Sequence, residues 1–139
     1  KGEITLAQIH TDASDHGPLL KLICDYESKP WKLMAEHRLA PEKSSKIIRT
    51  EPRKRASIEI GKGMQFEVTL SKNRALKVRV RKFGAETWDD LTDSSERGAN
   101  LDAAWDEETC YFKAGCYMFD PSDNAAPVGE IRFAQLSLQ

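Results

Sequence analysis

The run "QFEVTLSKNRALKVRV" (65–80) sets two stretches of alternating apolar and polar residues on either side of a short polar turn. Successive side chains of a strand point to opposite faces, so Leu76, Val78 and Val80 take one side while Lys77, Arg79 and Arg81 take the other. A helix would scatter both sets around its circumference, so the pattern specifies an antiparallel hairpin. Similar short runs recur at 3–10, 19–26, 32–39, 56–60, 111–119 and 128–138, giving about eight strands by period-two reading. Turn formers separate them at 61–63, 71–74 and 120–127, and only "LDAAW" within the long segment 86–108 suggests a helical turn. The expected class is all-β, an antiparallel sandwich or barrel whose curved inner sheet leaves a groove.

With 139 residues the chain suffices for one domain, 1–139, with a real core. Its 21 Lys and Arg balance 22 Asp and Glu, which argues against nucleic acid as a general partner. The charge is uneven, however. "KSSKIIRTEPRKR" (43–55) and "KVRVRK" (77–82) are basic, so a polyanion has somewhere to bind, although "KVRVRK" alone reads first as a charged, solvated strand. No apolar run is long enough for a membrane-spanning helix, and no membrane partner is expected. There is no signal peptide at the start, and the chain opens on Lys1 directly before a strand, which suggests a mature or trimmed chain lacking an amino-terminal segment. Cys24, Cys110 and Cys116 have no metal-ligand spacing and read as small buried apolar residues, with a disulfide to Cys24 or to an absent segment as the lesser alternative.

Two stretches carry chemistry. In "YFKAGCY" (111–117) Tyr111, Lys113, Gly115 and Tyr117 share one face and Phe112, Ala114 and Cys116 the other, so the odd face is polar with a gap at the glycine where a ligand can approach the backbone. "QIH" repeats the device: Gln8 and His10 share a face and Ile9 packs behind. A single strand histidine is more often structural than catalytic, and a polar strand face more often merely solvated. Taken together, the two stretches favour a binding face.

In this order the two motifs resemble those of the β-jelly-roll polyuronate lyases: the alginate lyases of polysaccharide lyase family seven, with Q-[IV]-H and Y-F-K-A-G-x-Y-x-Q, and the related glucuronan lyases of family twenty. The resemblance takes in "QIHTDASDHGPLLKL" (8–22), the hairpin 64–81 and a closing strand. It implies a jelly-roll sandwich with a concave substrate groove, an anionic polysaccharide as partner, a secreted, extracellular location, and cleavage by β-elimination. That reaction must offset the charge of the uronate carboxylate, remove the C5 proton and protonate the C4 oxygen. By resemblance Gln8 hydrogen-bonds the carboxylate, Tyr117 is the acid, and His10 is the base or a second neutraliser. Lys113 holds a sugar carboxylate, and Tyr111 is placed with it as substrate-binding. In mannuronate and glucuronate the C5 proton and C4 oxygen lie on the same side, so one tyrosine can serve both steps; guluronate needs His10 as base opposite Tyr117.

The sequence departs from the alginate pattern in two ways, of which the second turns the reading towards glucuronan. The family's arginine motif, R-[ST]-E-[LV]-R, precedes "QIH" in relatives, whereas "RTEPR" (49–53) follows it and contains Pro52; it reads as a loop match only, leaving the carboxylate-neutralising arginine on a missing segment. Phe119 stands where the alginate motif ends in glutamine, and 40–55 lengthens the connection after "QIH". The elimination requires no cofactor and the site no metal, while the acidic loops at 12–15, 89–93 and 120–124 leave room for a structural calcium ion. The rival of another class is a non-catalytic carbohydrate-binding module using Trp31, Trp88 or Trp105 as stacking platforms; a titratable tyrosine beside a histidine is what it would not need.

Overall fold

A computed structural model describes residues 2–59, 61–92 and 100–118, of which 116–118 are described by their backbone. The strands are β1 (Glu3–Thr11), β2 (Leu20–Asp25), β3 (Trp31–Arg38), β4 (Ile47–Arg49), β5 (Ala56–Ile58), β6 (Met64–Leu70), β7 (Leu76–Lys82), β8 (Asp89–Asp90) and β9 (Cys110–Met118). Six form one antiparallel sheet in the order β4-β3-β2-β1-β9, with β5 also paired to β3; the other three form a second sheet, β6-β7-β8. Among the described residues there is no α-helix, and the protein is an all-β antiparallel sandwich. The expected strand at 128–138 lies outside the described residues.

The core forms because one face of every long strand is apolar. Leu20, Leu22 and Cys24 of β2 and Leu33 and Ala35 of β3 cluster with Leu76, Val78 and Val80 of β7, and Val78 and Val80 are fully buried. Each such valine contributes on the order of 1.5–3 kcal/mol relative to an exposed one. Phe66 of β6 and Phe112 of β9 stack across the sheets with centroids 6.3 Å apart. A void of about 10 Å³ lies between β1, β2, β9 and the smaller sheet, at the lower limit for a single water. The expected turn at "LDAAW" is a 3-10 helix, Ala103–Glu107, which buries Trp105 and donates its indole N–H to the Leu39 carbonyl at 3.1 Å.

Three sequence expectations need correction. β4 and β8 were not anticipated, because three and two residues are too few for alternation to register. Arg49, taken as part of a loop, ends β4, and Pro52 opens a separate 3-10 turn, Pro52–Lys54. Cys110, expected to be buried, is an exposed free thiol, whereas Cys24 is buried as expected. Cys110 has core-side parity opposite Thr11, but it begins its strand.

Candidate active site

The face of the six-stranded sheet turned away from the core carries the predicted residues. Across the antiparallel ladders Lys113, Gln8, Lys21, Glu36 and Arg49 stand side by side on β9, β1, β2, β3 and β4, and His10 stands beside Tyr111 one step along. Directly opposed Cβ atoms are about 4.5–5.5 Å apart, so this is a continuous polar stripe crossing five strands. Sequence reasoning named Gln8, His10, Lys113 and Tyr111, and the fold brings all four together.

The backbone pairing of Tyr117 lies across an irregularity in the sheet. Its backbone pairs with Thr5, which pairs in turn with Ile23, two residues beyond Lys21 on the same side of β2. Simple alternation along β1 would put Thr5 on the core side with Ala7. A register shift between Thr5 and Ala7 inserts Leu6, which packs on the core as Ala7 does, and so returns Thr5 to the outer face. The backbone of Tyr117 is thereby in register with the side of Gln8 and Lys21.

The geometry at His10 decides what its ring can do. Nδ1 lies 2.6 Å from the Thr11 carbonyl oxygen. A carbonyl only accepts, so Nδ1 carries the proton, and in the neutral ring Nε2 is left with a lone pair to take one. The ring centroid is 5.9 Å from that of half-exposed Tyr111, and the Lys113 ammonium lies 5.0 Å from the same phenol ring. Tyr111 thus neighbours both the imidazole and the ammonium.

Lys21, Glu36 and Arg49 were not singled out by the sequence. Glu36 is buried and accepts from Arg49 Nε at 2.6 Å, with the Lys21 ammonium at 3.5 Å. Arg49 also reaches Glu3 at 3.3 Å. Partial burial works to lower the Arg49 pKa, but its hydrogen bond to Glu36 and the charges of Glu36 and Glu3 outweigh it and hold the guanidinium above its ordinary value. The "RTEPR" stretch thus does place an arginine on the candidate face, at the opposite edge from Lys113.

Beyond the end of β1, Thr11 donates its hydroxyl to Glu108, whose other oxygen is 2.9 Å from His16 Nδ1. The hydrogen bond from Thr11 and that from His16 hold Glu108 below the usual carboxylate range, and the same bond to Glu108 raises His16 against the opposing pull of burial. Among the described residues no three His, Cys, Asp or Glu side chains are grouped to hold a metal ion. The acidic stretch at 120–124 lies outside the described residues. Trp105 is in the core, while Trp31, which packs against the core, and Trp88 are both half-buried.

An antiparallel sandwich with an amide, an imidazole and two ammonium groups on one sheet face is a scaffold suited to an anionic ligand. The chain matches the alginate lyase family over residues 1–139 and belongs to it. Among solved structures it is similar to the crystal structure of an alginate lyase from Pseudomonas aeruginosa, at 22% sequence identity and a TM-score of 0.60, covering 90% of this chain and 51% of that one. That likeness is one of fold, and the chain spans about half the length of the protein it matches. No curated protein matches it.

Proposed function

We propose that this protein is a secreted polysaccharide lyase that cleaves a 1,4-linked polyuronate by β-elimination, leaving an unsaturated uronate end. The observation that carries this reading is the juxtaposition of Gln8 with Lys113 and of His10 with Tyr111 on one outward sheet face. The Gln8 amide and the flanking Lys113 and Lys21 ammoniums offer donors and positive charge to a uronate carboxylate, which stabilises the carbanion-like charge that develops when C5 loses its proton. His10 Nε2 accepts that proton where the C4 oxygen lies on the opposite side of the ring, and the Tyr117 phenol delivers one to the leaving oxygen. Where both lie on the same side, Tyr117 performs both steps. A free phenol titrates near 10, so a tyrosine that acts as base requires cationic or hydrogen-bonding neighbours.

Family membership favours alginate as the polymer, while Phe119 and the long 40–55 connection favour glucuronan. The test supplies polymannuronate, polyguluronate and glucuronan separately and follows the ultraviolet absorbance of the unsaturated product. Wild type is expected to give a rise on at least one polymer, and Tyr117→Phe to reduce that rate by about 10²-fold or more. The polymer that responds is the substrate; a folded protein that produces no absorbance on any of the three overturns the lyase reading in favour of a binding module.

A further inference from the structure

Apart from Arg49, the two basic stretches of the sequence lie off the stripe that carries Gln8, yet the fold brings them to one place. Arg53, Lys54 and Arg55 from the first and Lys82 from the second line a cavity of about 660 Å³. It opens where β5, on the β3 edge of the large sheet, meets β8, the last strand of the small one. Within the sheet β2 and β3 separate β5 from Gln8.

Trp88 also lines this cavity, and its indole is held in place. The guanidinium carbons of Arg79 and Arg81 lie 4.7 and 4.4 Å from its ring centroid, two cation–π contacts on one side chain. Both arginines are themselves fixed, Arg79 by two hydrogen bonds of 3.0 Å to Glu67 and Arg81 by one of 2.6 Å to Gln65. An aromatic platform held this way is ready to receive the flat apolar face of a pyranose with little ordering left to do.

The charges around it are open to exchange. Arg53 pairs with Glu51 and Lys82 with Glu59, at 2.7 and 2.6 Å, but both cations are more than half exposed. Such surface pairs add little to stability, so a ligand carboxylate can take the place of the protein's own. Asp89 and Asp90 line the same cavity and can only accept hydrogen bonds. Asp90 already accepts from the Thr92 N–H and hydroxyl at 3.0 and 2.8 Å and lies 3.7 Å from the Lys77 ammonium, so a polyhydroxylated chain adds donors chiefly to Asp89, whereas a phosphodiester backbone brings denser negative charge against both.

We infer that this cavity is an auxiliary, non-catalytic site for an anionic polysaccharide. Uronate carboxylates engage Arg53 and Lys82, a sugar ring lies on Trp88, and hydroxyls donate to Asp89. Holding a polymer there raises its local concentration at the sheet face that carries Gln8 and His10. The choice of polyuronate as ligand rests on the proposed function; the site itself is tested by binding, without turnover.

The experiment is affinity electrophoresis of the Tyr117→Phe protein in native gels containing polyguluronate, polymannuronate, glucuronan, a neutral glucan or duplex DNA. Retardation by a polyuronate is expected, weakened about tenfold by adding Trp88→Ala and again by adding Arg53→Glu with Lys82→Glu. The charge-reversed pair sits on exposed side chains, so its result stands even where Trp88→Ala lowers stability. In the otherwise wild-type protein the same changes should raise KM on long polymer and leave turnover of short oligosaccharides within about twofold. Variants retarded as strongly as the parent, retardation by the neutral glucan alone, or retardation by DNA alone would each overturn the site. Product absorbance from the wild type reports separately on the lyase reading.

Discussion

His10 has one ring nitrogen committed to the Thr11 carbonyl and the other available for a proton. Replacing it with alanine is expected to lower kcat/KM by about 10²–10⁴-fold on guluronate blocks, where a separate base is required, and far less on polymers with the C5 proton and C4 oxygen on the same side. A uniform loss on all polymers would make His10 a neutraliser instead. Arg49→Ala leaves the buried Glu36 carboxylate with Lys21 alone and should lower stability by about 1–3 kcal/mol in urea unfolding. Cys110 is exposed, but desolvation, followed by the Glu108 and Asp12 carboxylates, raises its thiol, so carboxymethylation at neutral pH should be slower than that of glutathione. Gln8, His10, Tyr111 and Lys113 were legible because alternation within a single strand fixes their face. Lys21 and Arg49 were not, since their place in the stripe depends on which strand pairs with which and in what register.

Among the elements, the long strands were readable and the short ones were not. β6 occupies the same residues that alternation assigns, while β4 and β8 exist only because β3 and β7 present unpaired backbone to them. The 3-10 helix Ala103–Glu107 is held by Trp105, packed in the core and bonded to Leu39 in the turn after β3. Trp105→Ala should therefore cost about 3–5 kcal/mol, measured by thermal or urea unfolding. A loss below about 1 kcal/mol would mean that the segment docks through other contacts.

For the whole molecule, two histidines set opposing dependences on pH. His37 is buried on the core side opposite Leu20 and Ile48, and desolvation lowers its pKa. The unfolded chain then binds the proton more readily, so stability falls as pH drops below the unfolded value of about 6.5, and His37→Leu should remove that slope. His16 works the other way: its pKa is raised by Glu108, so its contribution is full below about 6.5 and is lost as pH rises through the folded value. His16→Gln should flatten the alkaline side of the same stability curve. The Leu6 bulge has its own consequence for the molecule as a whole. It works as a change of phase: residues before it follow the opposite parity from those after it. Deleting Leu6 would turn Glu3 and Thr5 inward and Ile4 outward, and any segment grafted upstream of β1 must be designed one residue out of step with "QIH" to place its side chains on the face that carries Gln8 and His10.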